Sequence, residues 1–549
     1  MQSSHTLVIL ISVFFAVQAC PAQSGTSGPG TNTDRSAAAV ANSGTPEQNQ
    51  ITLDLSWSRG PDSPGGIIAM LDSVPSKTDT VPSKTDSLPQ HTEGVSTKTV
   101  KVSYRDSTVS NIYGDLLEDD SAANPRTSIW VPILGIFESN LVLWGFDRYG
   151  SKADFSRVGF QSWKRNFEVG FEWDSDGFGM NHFFHPYGGA MAFTGARASG
   201  YGYFESVPFA FGSSLMWEMF GENTLPSYND LINTTLSGAF GGEVLYRLSS
   251  NVLDDRTTGA ARFFRELLAA VINPKRGFSR LTQGRMFRQS SEEVYQKEPL
   301  NVSFSLGAHN VNDGSKLGTG TASVMANAQF VYGNPFEHRS RKPFDFFNLR
   351  FDMDFGVGSK VIDNIVGYGL LFGSDGQMGS LKTMVGGFQH FDYWDNDLYQ
   401  VGSLGFGGGI VTQFPILKSS TIESAVHLAI IPLAGISSPY VSIEFRHYTY
   451  GGGLQAKLSN IFDLGWGSLT TDYFLYWIHT YIGPAGNNLI GIFKPRLGVQ
   501  LYRNLSIGFE YLVYHRAASF ENYPNFYSLH TEQKVYVMLN LENFGITRR

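Results

Sequence analysis

From residue 298 to the C-terminus, apolar and polar side chains alternate with a period of two. Phe347, Leu349, Phe351, Met353 and Phe355 alternate with Asn348, Arg350, Asp352 and Asp354. Ile422, Val426, Leu428 and Ile430 share one face, Glu423 and His427 the other. Val441, Ile443 and Phe445 alternate with Ser442, Glu444 and Arg446; Phe493, Leu497, Val499 and Leu501 with Lys494, Arg496 and Gln500. Leu505, Ile507, Phe509, Tyr511 and Val513 alternate with Ser506, Gly508 and Glu510, and Val535, Val537, Leu539 and Leu541 with Lys534, Tyr536 and Asn540. Such alternation is the mark of strands with one apolar and one wet face. The segments have the length of a membrane-crossing strand, roughly 9–11 residues. Turn signals at Val311–Gly314, Gly373–Gly376 and Gly483–Asn487 separate them. The pattern predicts a mainly β fold: a transmembrane outer-membrane β-barrel of about 12 antiparallel strands, over 298–549. A soluble sandwich or propeller would not place aromatics such as Tyr473, Tyr476 and Trp477 near strand ends, where a barrel has its interfacial girdle.

Between 126 and 285 the pattern differs. Ser128–Phe146 is apolar but broken by Pro132, Gly135 and Glu138, which opposes a transmembrane helix. Asn166–Trp173 alternates and reads as a strand, followed by an Asp174–Gly177 turn. From 182 to 285, apolar residues recur every three or four positions. This predicts helices over Met191–Tyr203, Val207–Phe220, Tyr228–Ser249 and Ala260–Ile272, punctuated by Pro208, Pro226 and Pro274. Ser227, with Asp230 three residues on, reads as an N-cap. Gly and Ala line one side of these helices, and small residues permit close helix packing. The helices are expected to plug the barrel lumen or cover its periplasmic mouth.

The N-terminus adds a compartment. Leu7–Ala19 is an apolar run of signal-peptide length, so residues 1–20 are read as an export signal. It ends in Val17-Gln18-Ala19-Cys20, which resembles a lipobox; Cys20, the sole cysteine, is the expected lipidation site. Ordinary cleavage after Ala19 is the alternative. Residues 21–115 are rich in Ser, Thr, Pro and Gly and repeat VPSKTD at Val74 and Val81. Such a segment buries too little apolar surface to order itself and reads as a disordered tether.

Composition agrees: 60 Gly, 42 Phe and 25 Tyr with only 16% charged residues. A net charge of −8 speaks against a nucleic-acid partner. The expected partners are outer-membrane lipid and, during biogenesis, the barrel-insertion machinery. No phosphate loop, dinucleotide fingerprint or zinc-protease motif appears, so no cofactor is expected. The mixed signs of Arg350, Asp352, Glu444, Arg446, Lys494 and Arg496 point to a salt-bridged interior rather than an ion-selective pore.

The helical segment holds the unusual polar residues: NHFFHPYGG at Asn181–Gly189, Ala196-Arg197, Glu205-Ser206, Gly212-Ser213 through Trp217-Glu218, Glu222 through Pro226-Ser227-Tyr228-Asn229-Asp230, and Gly242-Glu243 through Tyr246-Arg247-Leu248-Ser249. In these motifs, over roughly 165–285, the chain resembles a bacterial domain of unknown function, DUF3943. The resemblance implies an envelope protein and brings no catalytic residue. Read physically, Glu218 and Glu222 lie one helical turn apart, as do Glu243 and Arg247. The simplest reading is a buried polar network. Arg197 and Arg247 neutralise Glu205, Glu218 or Glu243, Asn229 and Asp230 cap helix ends, and Asn181 and Trp217 belong to the same set. The sharper alternative is a lipid- or lipopolysaccharide-modifying enzyme with His185, a carboxylate (Glu218, Glu222 or Asp230) and Ser213, Ser214 or Ser227 in Ser–His–acid chemistry, although no nucleophile elbow frames these serines. A metal held by His182 and His185 is disfavoured because Pro186 opposes the helix that would align them.

Overall fold

The computed structural model describes residues 122–313, 320–337, 341–356, 359–396, 398–417, 420–441, 443 and 446–544. The expected signal peptide, the tether and Cys20 lie outside these residues. Twelve strands follow one another: β1 (Leu300–Asp313), β2 (Thr321–Tyr332), β3 (Phe347–Asp354), β4 (Ile362–Met378), β5 (Leu381–Asp395), β6 (Gln400–Leu417), β7 (Ser420–Ser437), β8 (Tyr448–Asp463), β9 (Gly467–Ile482), β10 (Gly486–Tyr502), β11 (Leu505–Phe520) and β12 (Phe526–Leu541). Each pairs antiparallel with its neighbours, and β1 closes on β12 from Val302–Leu541 to Asp313–His530. At the rim holding the start of β1 and the end of β12, tight turns at 379–380 and 503–504 use left-handed backbone at Gly379 and Arg503. The 333–346 connection also lies at this rim; the other longer connections, 438–447 among them, lie on the opposite, long-loop rim.

The two faces follow the alternation. Val426, Leu428 and Ile430, Leu489 and Phe493, and Val535 and Val537 point outward and are exposed. Their neighbours point inward and meet across the lumen. Arg350 of β3 binds Asp352 at 2.8 Å and Glu510 of β11 at 3.0 Å. Lys534 lies 3.1 Å from Glu532, His309 2.6 Å from Glu532, and Lys457 2.6 Å from Asp392. Toward the long-loop rim the lumen is packed by Trp394, Tyr476, Ile478, Ile490, Ile492, Leu512 and Tyr514. A cavity of ≈ 10 Å³ beside His309, Asp354, Asp363 and Glu532 has room for about one water. Tyr476 thus fills the lumen, and of that aromatic pair it is Trp477 that faces outward.

The helices are α1 (Trp130–Gly145), α2 (Phe160–Val169), α3 (His185–Arg197), α4 (Tyr203–Met216), α5 (Tyr228–Val252), α6 (Gly259–Ile272) and α7 (Pro274–Thr282). They do not enter the lumen. On β5, His390 and Asp392 face inward, so Gln389, Phe391 and Tyr393 face out, and it is these that the helices cover. Phe240 of α5 stacks on Phe391 at 5.7 Å, and Phe178 on Tyr393 at 5.6 Å. Gln389 Nε2 donates to the Leu236 carbonyl at 2.8 Å, and Tyr203 OH to Gln389 Oε1 at 2.6 Å. His182 lies in a notch made by outward-facing Gly402 and Gly435, where an added Cβ would stand 2.5 and 2.1 Å from the imidazole. The expected plug is therefore corrected. The barrel's own side chains already fill the lumen, and the apolar helix faces find their partner on the outer wall of β1–β8.

Long α5 crosses that wall from rim to rim, with its start near Tyr450 and Asn251 bonded to the Glu298 carbonyl at 2.8 Å. It meets α3 through glycines: a Cβ on Gly238 would lie 2.7 Å from the Gly189 backbone.

Several local expectations change. Asn166–Trp173 is not a strand: α2 occupies 160–169, and only Glu172 forms a bridge, to Ser227. Trp130–Gly145 is helical despite Pro132, which sits in the first turn where its missing N–H costs nothing. Pro186 likewise opens α3 rather than barring it, whereas Pro208 lies inside α4. Gly373–Gly376 runs within β4, whose turn comes at Gly379. Val441–Arg446 is a connection rather than a strand, with Ile443 bridged to Arg446; Ser442, Glu444 and Phe445 lie outside the described residues, as does Gly314.

Gly238→Val is expected to lower stability by about 1–3 kcal/mol through overpacking of α3 on α5, while the barrel stays closed. Thermal and urea unfolding of the helical signal would check this; an unchanged midpoint contradicts the close crossing.

Candidate functional site

The polar residues gather at the long-loop rim, between the helices and the barrel wall. The segment before α3 passes alongside the start of α5: Glu172 N donates to the Pro226 carbonyl at 2.8 Å and Tyr228 N to the Glu172 carbonyl at 2.9 Å. This brings Asp174 beside Asn229 and Asp230. Ser227 is the N-cap, its Oγ accepting from Asp230 N at 3.1 Å and donating in turn to Asp230 Oδ2. Asn229 Nδ2 lies 3.0 Å from both Asp174 Oδ1 and Asp230 Oδ1, so one amide bridges two carboxylates. His185 Nε2 stands 3.8 Å from Asp230 Oδ1.

The barrel completes the cluster. Asn181 Nδ2 is 2.7 Å from Asp174 Oδ1 and from the hydroxyls of Tyr448 and Tyr450. Tyr450 OH donates to Asp174 Oδ1 at 2.9 Å, and Arg446 Nη1 to the Asp174 carbonyl at 2.8 Å. Glu218, in the turn Trp217–Gly221 that ends α4, accepts from Ser227 N at 2.8 Å. Glu222 follows that turn in extended backbone, so the expected shared helix face is not formed.

Carboxylates crowded and buried here shift their protonation. Burial raises Glu218 to about 8; the Ser227 N–H opposes this, and the Asp174 and Asp176 charges add to it. Glu222 is raised well above its ordinary range by burial and then by Glu218. Burial would raise Asp174 too, but a hydrogen bond from Asp230 and the nearby His185 hold it below the ordinary range. Asp230 is raised well above its ordinary range by burial and then by the Asp174 charge, so the two carboxyls are pushed in opposite directions.

The expected polar network divides in two. Arg197 and Arg247 do not reach Glu218. Arg197 pairs with Glu243 through Nε at 2.7 Å and Nη2 at 3.1 Å, and Arg247 Nε joins Glu243 at 2.8 Å. Arg247 also donates to the Pro343 carbonyl at 2.9 Å, tying α5 to the β2–β3 connection. Glu205 takes a third route, accepting from Gly202 N at 2.9 Å and pairing with Arg126 at 2.9 Å. Trp217 packs on Gly221 and joins neither network.

The Ser–His–acid order is not assembled. Ser227 bonds the acid directly, so Asp230 stands between serine and histidine rather than behind the histidine, as triad chemistry requires. Ser213 bonds Asn140 Oδ1 at 3.3 Å, and Ser214 the Asp230 carbonyl at 3.4 Å. Among the described residues, no three His, Cys, Asp or Glu side chains form a metal-binding group. Sequence reasoning missed Asp174, Tyr448, Tyr450 and Arg446. Asp174 looked like a turn residue, and Tyr448-x-Tyr450 signalled only that two tyrosines share one strand face.

Two outcomes follow. Protonated Glu218 stabilises the fold fully below about 4.5, and that contribution is lost as pH rises to about 8. Unfolding midpoints of the helical segment should fall over that window, and Glu218→Gln should flatten the fall; a parallel slope in the variant would refute it. Glu243→Gln should destabilise the helices by about 3–5 kcal/mol, because Arg197 loses its bidentate carboxylate partner and Arg247 loses its nearer one, keeping the longer contact to Asp345 at 3.8 Å; denaturant unfolding measures it.

Among solved structures, the chain is similar to the outer membrane channel DcaP of Acinetobacter baumannii, at 7% identity over 44% of this chain and 98% of that one, with a TM-score of 0.22. It is also similar to the outer membrane phospholipase A of Escherichia coli (10% identity, 45% and 93% covered, TM-score 0.22). An outer membrane channel of Pseudomonas putida F1 gives 7% identity, 45% and 97% coverage and a TM-score of 0.25. No curated protein matches the chain. Residues 170–275 match the family model described as a domain of unknown function, DUF3943, and the helices that hold the polar cluster lie within that match.

Proposed function

We propose that this chain is an exported outer-membrane barrel that conducts nothing through its lumen and serves as a rigid support for the helical domain on its wall. The observation that carries this is the lumen itself. Arg350 reaches across from β3 to Glu510 on β11, and a packed aromatic and aliphatic layer lies beyond it. Opening a path would leave paired charges uncompensated, a cost of several kcal/mol each. Outer-membrane lipid is the surrounding partner, and the barrel-insertion machinery acts during assembly. In planar lipid bilayers the purified protein is expected to give no sustained conductance steps; reproducible open-channel steps would overturn this reading.

A second reading is favoured by one specific feature, the Asp174–Asp230 pair. Two carboxylates held apart in protonation by a shared amide have the form of an acid and a base, and lipid head groups lie at the height of a barrel rim. In this reading the domain modifies lipid or lipopolysaccharide. Lipid mass spectrometry of outer membranes with the native chain, without it, and with Asp230→Asn separates the two. A head-group or acyl change lost in a folded variant supports the enzyme. An unchanged profile leaves the cluster as the polar latch between helices and barrel.

A further inference from the structure

The helices that cover the wall carry a second apolar face. Trp130, Leu134, Phe137 and Val142 of α1 turn away from the barrel, and each is more than half exposed. In a water-facing domain such a run is an aggregation hazard; in a membrane it is the ordinary exterior. The bare part of the wall, β9–β12, has the same character, with Phe493, Val535 and Val537 exposed.

The heights of the two surfaces match. The chain at Arg126–Thr127 is tied to Glu205 and Ser199, near the rim where α5 ends, and Asn140 bonds the Ser213 carbonyl farther along. Thus α1 lies alongside α4, and the bundle covers the wall that α5 crosses from rim to rim. Twenty-five residues of α5 make a helix of about 37 Å, against a hydrocarbon layer of about 30 Å. None of the described helices is long and apolar enough to cross a membrane alone. Helices α3, α4 and α5 have polar or glycine-lined sides that need a protein partner, and one another and the wall supply it. Lys275 of α7 turns its ammonium into the bundle, where it bonds the Gly135 carbonyl at 2.9 Å and Ser139 Oγ at 2.7 Å.

We propose that the helical segment lies within the bilayer beside the barrel, so that its outer face contacts lipid acyl chains and β1–β8 are shielded from lipid along the covered strip. The occupant is the acyl-chain layer. The inference rests on the barrel standing in a membrane.

The test uses the full chain with Cys20→Ser, reconstituted in phosphatidylcholine vesicles, with nitroxides at Leu134→Cys or Phe137→Cys. Leu428→Cys on the exposed, uncovered stretch of β7 and Asp176→Cys at the rim serve as references. At 134 and 137, collisions with oxygen should exceed those with a water-soluble nickel chelate several-fold, as at 428. Accessibility to the nickel chelate like that at 176 would overturn the proposal, as would low accessibility to both probes, which signifies a protein partner or second copy. If 428 also behaves as water-exposed, the membrane barrel itself is refuted. For variants that fail to fold, photolabelling of the native chain with an acyl-diazirine phospholipid replaces them: adducts within 129–145 support the proposal, and adducts confined to the strands overturn it.

Discussion

Closure of β1 onto β12 is the constraint on which the rest depends. In hydrocarbon an unpaired strand edge leaves a row of backbone groups without water, each costing several kcal/mol. Joining Val302–Asp313 to His530–Leu541 removes both edges at once. Once the ring is closed, every strand must present one face inward and one outward, and a single alternation serves two solvents. Charged side chains collect inside, where Arg350, Lys494 and Lys534 meet Asp352, Glu510 and Glu532. Apolar ones collect outside. The lumen is then packed by the barrel's own side chains.

That fullness directs the helices to the outside. Their glycine-rich faces pack against each other at Gly189, Gly238 and Gly242, and their aromatic faces pack on Phe391, Tyr393 and Tyr448. The wall is shaped to receive them. Gly402 and Gly435 stand on neighbouring strands, and no side chain larger than hydrogen fits beneath His182. A barrel with ordinary side chains at those positions would hold the domain away from the wall and leave Asn181 without the two tyrosine hydroxyls. The polar cluster is therefore a product of docking. Its members come from the segment before α3, the end of α4, the start of α5 and the start of β8, and the contacts of Asp174 with Asn181, Asn229 and Tyr450 join these elements. Burial between two apolar surfaces makes the hydrogen bonds strong and the charges costly, which is why Asp174 and Asp230 are pushed in opposite directions. The same arrangement serves to fasten the domain and to poise an acid beside a base.

Much of this was legible in the chain. Alternation at Phe347–Phe355, Phe493–Leu501 and Val535–Leu541 determined the strands, their faces and the barrel, because a period of two is a local property that survives any tertiary context. Small residues and three-to-four spacing determined the helices, Ser227 and Asp230 the start of α5, and the polar motifs of 181–249 the likeness to a family. Turns were less secure: Gly373–Gly376 carries turn residues yet continues β4, since pairing with β5 outweighs local preference. Only the tertiary structure decided which side of the barrel the helices occupy, because an apolar helix face is equally suited to a lumen or a wall. It also decided that Glu243 rather than Glu218 receives the arginines, and that Asp174, Tyr448 and Tyr450 join the site. Those partners lie more than two hundred residues apart, and no local pattern records which of many polar residues will meet once the ring has closed.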